Sequence, residues 1–223
     1  MDLSSPKLMD KLLLVTRPNH DYATRWLSAW AGQLLEQAKK SGIKSIDLSG
    51  EKARLKELEG RLGKVKPDLV VLIGHGGSDM VTGQDNEPLI SLGKNEGLLA
   101  NFITYAISCN SASQLGPECV RKGSRAYIGY REEFAFVLDE SKTSRPLEDN
   151  TARTFLDPAF KVAHSLLKGH SAKESHDGAI EMHKKTIRKL LTSDSQKDAA
   201  SLLPFLFANM NRLVCLGNSL ATI

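Results

Sequence analysis

Long apolar runs are missing from this 223-residue chain. No stretch reaches the roughly 18 residues that a membrane-crossing helix needs, so no membrane span is expected. The start, MDLSSPKLMDK, also lacks the apolar core of a secretion signal, and the following KLLLV is too short to supply one. Cysteine is scarce: Cys109, Cys119 and Cys215 are odd in number and far apart, which argues against a disulfide framework and fits a reducing, cytoplasmic setting. Excess charge is lacking too. A net charge of +4 gives little reason to expect nucleic acid as a partner. His164, His170 and His176 have no cysteine or carboxylate at ligand spacing, so neither a metal site nor a cofactor is expected. Phosphate loops of the G-x-G-x-x-G or P-loop kind are also absent.

What is present is an alternation of short apolar runs with amphipathic segments, the pattern of a parallel sheet covered by helices. Strands are expected at 12–15, 45–48, 69–73, 102–108, 126–129 and 213–217. Trp26, Trp30, Leu34 and Ala38 fall at steps of four and mark a helix that Gly42 closes. A charged helix is expected over 51–62 and a short one around Leu98. Two more follow, one through Phe155, Phe160, Ala163 and Leu167, the other through Ile180, His183, Ile187 and Leu191. Segments 74–94 and 139–150 read as loops. The expectation is one α/β domain over 1–223, a three-layer α/β/α sandwich with about six mostly parallel strands.

In such sheets chemistry gathers beyond the C-terminal strand ends. The ends of strands three and four are Gly74-His75-Gly76-Gly77 and Ser108-Cys109-Asn110-Ser111. Consecutive strands are usually neighbours, so His75 and Cys109 could share one rim. A thiol needs a base or a positive neighbour to act as a nucleophile near neutral pH, and imidazole supplies either. Gly76 lets the backbone approach a substrate closely, and its N–H, with that of Cys109, could receive an oxyanion.

The pair VVLIGHGG and ITYAISCNSA, followed by LGPECVRKGSRAYIGY, resembles the caspase–gingipain–legumain clan of cysteine peptidases, closest to its bacterial CHAT-type branch. The likeness covers roughly residues 68–134. It implies a caspase-like fold in which Cys109 is the nucleophile, His75 the general base and acid, and Gly76 with the Cys109 N–H the oxyanion site. It also implies a protein or peptide substrate, an acyl-enzyme, and an effector switched on by a partner. Specificity stays open. Arg17 and Arg131 stand roughly where caspases hold arginines for acidic side chains, whereas Glu132 and Glu133 could receive a basic one. Ile107 replaces the acidic residue that basic-specific members often carry. The stretch from Cys109 to Arg125 is too short for a cleavable linker, and the loop 139–150, with Lys142 and Arg145, is the alternative processing site.

Other readings fare less well. His-Gly-Gly also occurs in esterase oxyanion loops, but ISCNSA is no G-x-S-x-G elbow. A catalytically silent interaction or regulatory module of the same fold remains the alternative. Cys119 and Cys215 read as inert small hydrophobes, His183 as a core-edge residue, and the basic run 183–189 as a solvated face. His20 is a candidate for lining the cleft. A monomer or weak dimer is expected.

Overall fold

The computed structural model describes residues 11–192 and 199–223. The main sheet contains β1 (Leu12–Arg17), β2 (Lys44–Ser49), β3 (Leu69–Ile73), β7 (Ile103–Ile107), β8 (Ala126–Tyr130) and β9 (Leu213–Gly217), in the order β2-β1-β3-β7-β8-β9. All neighbours are parallel except β9, which runs antiparallel to β8. Every residue of β3, β7 and β8 is buried, which explains why these strands read as continuous apolar runs rather than alternating ones.

The pleat sends successive residues of one strand into different cores. Leu13, Val15, Val71, Ile73, Tyr105 and Ile107 pack with Trp26 and Trp30 of α1 (Tyr22–Lys40) and with Phe160 and Ala163 of α4 (Asn150–Leu167). Leu14, Val70, Leu72, Ala106 and Tyr127 pack the other way, against Leu58 of α2 (Leu55–Lys64) and Leu115 and Cys119 of α3 (Leu115–Arg121). The fold is therefore α/β, with a mostly parallel sheet whose two faces carry helices. Both tryptophans are buried and still satisfied: Trp26 Nε1 donates to Asp149 Oδ2 (2.8 Å) and Trp30 Nε1 to Asp157 Oδ1 (2.9 Å). Those two bonds join α1 to the N-cap and the first half of α4.

Three expectations need correction. Segment 74–94 is not a plain loop but carries a small antiparallel sheet of β4 (Gly76–Gly77), β5 (Met80–Thr82) and β6 (Pro88–Ser91). Strands this short leave no alternation to detect. The charged helix starts at Leu55 rather than near Glu51, because Gly50–Lys52 forms a separate 3-10 turn and Arg54 is drawn onto Glu51, Asp85 and Glu87. A sixth helix, α6 (Ala199–Arg212), follows α5 (Ala172–Thr192). Pro204 lies inside it, and Phe205 and Phe207 face outward while Leu206 is buried, so its sequence has neither a clean stripe nor an unbroken interior. Among the described residues, no helix is long and apolar enough to cross a membrane.

Candidate active site

The pairing of β3 with β7 carries the geometry. Leu69 registers with Ile103 and the match runs in step to Ile73 opposite Ile107. His75 and Cys109 each lie two residues past that last pair, so both leave the sheet at one rim. Ser108 Oγ donates to His75 O (3.0 Å) and ties the two exits together. Thr82 adds its N–H (2.9 Å) and hydroxyl (3.1 Å) to the same carbonyl. The closeness of these segments demands glycine. A Cβ on Gly76 would collide with Ser108 Oγ, lie 2.7 Å from Met80 O and 3.2 Å from Cys109 O. One on Gly74 would run into Thr82 O.

The Thr82-to-His75 bond also fixes where the Gly76 N–H points. Antiparallel pairs alternate between bonded and non-bonded, so Gly76 opposite Val81 is a non-bonded pair. Its N–H is directed away from β5, at the edge of the small sheet.

The His75 ring is held by a residue that the sequence reading did not single out. His75 Nε2 lies 2.6 Å from Asp21 Oδ2, across 54 residues of sequence. Asp21 is the N-cap of α1: its Oδ1 accepts from Thr24 N–H (2.8 Å) and the Thr24 hydroxyl (2.8 Å), leaving Oδ2 for the imidazole. Burial opposes the charge on Asp21, but the Thr24 N–H, the His75 ring and the Thr24 hydroxyl outweigh it and hold the carboxyl below its usual range. An ionised carboxylate can only accept, so the proton of this contact sits on His75 Nε2. In the neutral ring Nδ1 then carries the lone pair. The cap was readable from an aspartate three residues before a threonine at a helix start; its second role depends on β1 lying beside β3.

His20 completes a cluster. Its Nε2 is 3.4 Å from Asp21 Oδ2 but in no hydrogen bond, and its ring meets that of His75 edge-on with centroids 6.1 Å apart. The donors of His20, Asp21 and His75 all lie within 4.8 Å of one another. The expectation of no metal site rested on the spacing of His164, His170 and His176, and spacing along the chain cannot reveal a set assembled by neighbouring strands. His176 also has a carboxylate partner, Asp177, 3.0 Å from its Nδ1.

Cys109 is less prepared. Its Sγ bonds to Phe134 O (3.5 Å), not to His75. Burial pushes the thiol above its ordinary range, the Glu133 carboxylate adds to the rise and the Arg212 guanidinium opposes it. The segment over the thiol is fastened to α6. Asn209 bonds to both backbone groups of Ala135 (3.0 and 2.6 Å), and Arg212 reaches Glu133 O (2.9 Å) and pairs with Glu132 (2.9 Å).

The four specificity candidates separate accordingly. Arg17 is engaged elsewhere: its guanidinium takes Asp47 in two bonds (2.8 and 2.6 Å) and Ser28 O in a third (2.9 Å), on the flank formed by β2 and α1. Glu132 is paired with Arg212. Arg131 and Glu133 are exposed, and neither has an ion-pair partner among the described residues. Of the two, Glu133 is the one whose charge acts on Cys109. Cys119 is buried, its thiol pushed up to about 12 by desolvation, and Cys215 is half-buried and raised for the same reason. Neither models of known protein families nor curated proteins give a match to this chain.

Proposed function

We propose that the chain is a caspase-like cysteine endopeptidase. The observation that carries this reading is the shared rim: β3 and β7 deliver His75 and Cys109 in step, and Asp21 presents the imidazole with Nδ1 as its basic nitrogen. The Cys109 thiol passes its proton to His75 Nδ1, and the thiolate attacks the carbonyl carbon of a peptide. The tetrahedral oxyanion is received by the Gly76 and Cys109 N–H groups. Collapse returns the electron pair to the carbonyl and breaks the C–N bond, while His75 gives its proton to the leaving amine. Water, losing a proton to His75, then attacks the thioester and frees the acid and the thiol. Throughout, Asp21 steadies the imidazolium, as a positioning residue.

Substrates with a basic side chain beside the cleaved bond fit best. Arg17 is neutralised by Asp47, and of Arg131 and Glu133, both without an ion-pair partner among the described residues, Glu133 is the one whose charge acts on the thiol.

The second reading, a silent regulatory module, has one observation in its favour: Cys109 is raised by burial and bonded to Phe134 O. The two are separated by a thiol-directed peptidyl probe carrying a basic residue. A peptidase is labelled at Cys109 far faster than at Cys119 or Cys215, and Cys109→Ala or His75→Ala abolishes labelling and cleavage. Equal labelling of the three thiols, or no effect of His75→Ala, supports the silent module.

A further inference from the structure

His20 has no place in the acyl-transfer scheme, and its surroundings call for an explanation. The side chain is 12% exposed, and both ring nitrogens are buried without a hydrogen-bond partner. A buried polar atom left unpaired is costly and is rare without a water or an ion to satisfy it. One of those nitrogens lies 3.4 Å from Asp21 Oδ2, the same oxygen that His75 Nε2 meets at 2.6 Å.

The three donors lie within 4.8 Å of one another, close enough to share one metal ion. Zinc bonds to nitrogen and carboxylate oxygen at about 2.0–2.1 Å, so tetrahedral geometry places neighbouring donors roughly 3.3 Å apart. The His20–Asp21 separation is already at that value. The shorter His75–Asp21 contact is that of a shared proton, and replacing the proton by a cation widens it by about 0.7 Å. Two imidazoles and one carboxylate suit zinc rather than magnesium or calcium, which prefer an all-oxygen shell. The carboxylate is oriented from behind, since its other oxygen is fixed by the Thr24 N–H and hydroxyl, an outer-shell arrangement typical of metal ligands. Its negative charge also offsets the partial positive charge at the N-terminus of α1.

We propose that His20, Asp21 and His75 form a zinc-type cation site, and that filling it switches the thiol chemistry off. Binding is argued from the donor set alone; the inhibitory consequence rests on the peptidase reading above. A cation on His75 Nε2 takes Asp21 away as the partner of the Nε2 proton and draws electron density from the ring. The coordinated neutral ring keeps its single proton on Nδ1, so the nitrogen that should take the Cys109 proton is occupied, and His75 cannot become an imidazolium.

The test uses the full chain, stripped with a chelator and titrated with zinc by calorimetry and with cobalt(II) by visible absorption. One equivalent is expected in the wild type and equally in Cys109→Ser. His20→Gln, which keeps a polar side chain of similar size, and Asp21→Asn, which keeps the helix cap, are both expected to weaken binding at least about 10²-fold. Circular dichroism shows that each variant is folded. Unchanged affinity in His20→Gln overturns the site, as does loss of binding in Cys109→Ser, which would put the ion on the thiol. Zinc is also expected to slow alkylation of Cys109 in the wild type but not in His20→Gln. One equivalent bound with no slowing overturns the inhibitory role and leaves the site standing. Because binding is read without substrate, failure of the peptidase reading is visible separately.

Discussion

Exchanging one oxygen for an amide nitrogen, in Asp21→Asn, probes the histidine half of the site most sharply. The Asp21 carboxylate serves two clients: Oδ1 takes the Thr24 N–H and hydroxyl, and Oδ2 takes His75 Nε2. Asparagine has one oxygen to offer. The Thr24 N–H can only donate, so the oxygen must stay with the cap, and the NH₂ group falls where Oδ2 was. It then donates to His75 Nε2, which must become the acceptor, and the ring proton moves to Nδ1. The nitrogen that should take the Cys109 proton is now occupied. The corresponding change in a serine-protease triad costs about 10⁴ in kcat. For a thiol, which ionises more readily, a loss of about 10²–10⁴ is expected, or roughly 3–5 kcal/mol of barrier. The loss belongs in kcat, with KM little altered, because Asp21 acts through the His75 ring. Stability should hardly move, since asparagine caps helices as well as aspartate, whereas Asp21→Ala gives up about 1 kcal/mol with the cap. Alanine imposes no tautomer, so Asp21→Ala should be the less stable variant yet retain at least as much activity. Rates of probe labelling across pH, with melting temperatures alongside, measure both effects. A wild-type labelling rate in a folded Asp21→Asn protein would refute the assignment of Nδ1 as the base.

Further outcomes are expected elsewhere. Gly76→Ala drives a methyl group into Ser108 Oγ and close to two backbone carbonyls, so labelling of Cys109 should collapse and stability fall by about 1–3 kcal/mol; Gly77→Ala meets only the Asp79 side chain at 3.3 Å and should be tolerated. His183 is fully buried with both nitrogens unpartnered, and burial lowers it to about 4 from 6.5. The unfolded chain therefore binds the extra proton first: stability is whole above about pH 6.5 and lost progressively as pH falls toward 4, by about 3 kcal/mol. Urea midpoints across that range, steep in the wild type and flatter in His183→Leu, check the sign. Glu133→Gln removes a charge that raises the Cys109 thiol, so alkylation near neutral pH should speed up by roughly a few fold while cleavage next to basic residues declines. An unchanged side-chain preference would remove Glu133 from the specificity site.

The parts of the fold legible in the sequence are those where local pattern and burial agree. LVVLI reads as a strand because both of its faces are covered, and the tryptophan stripe reads as a helix because one face is. The residue order placed His75 and Cys109 at strand ends, and the register then set them level. Asp21 went unnoticed, because its contact with His75 exists through the side-by-side placement of β1 and β3. Arg17 looked free because its partner Asp47 sits on β2, registered opposite Val15. The small β4–β6 sheet and α6 were hidden for local reasons: strands of two to four residues, and a proline in a helix with outward phenylalanines.

The fastening of residues 132–135 to α6 implies a division between a fixed half and a governed half of the site. The His75 backbone is pinned by Ser108 and Thr82 and its ring by Asp21 at the start of α1, none of which belongs to α6. Cys109 takes its hydrogen bond and part of its electrostatic field from a segment whose position depends on Asn209 and Arg212, two side chains one turn apart on a single helix. Sliding or rotating α6 would therefore act like a hand on a dial, resetting the reactivity of the sulfur without disturbing the imidazole. Cutting either side chain back to alanine releases the dial from the hand.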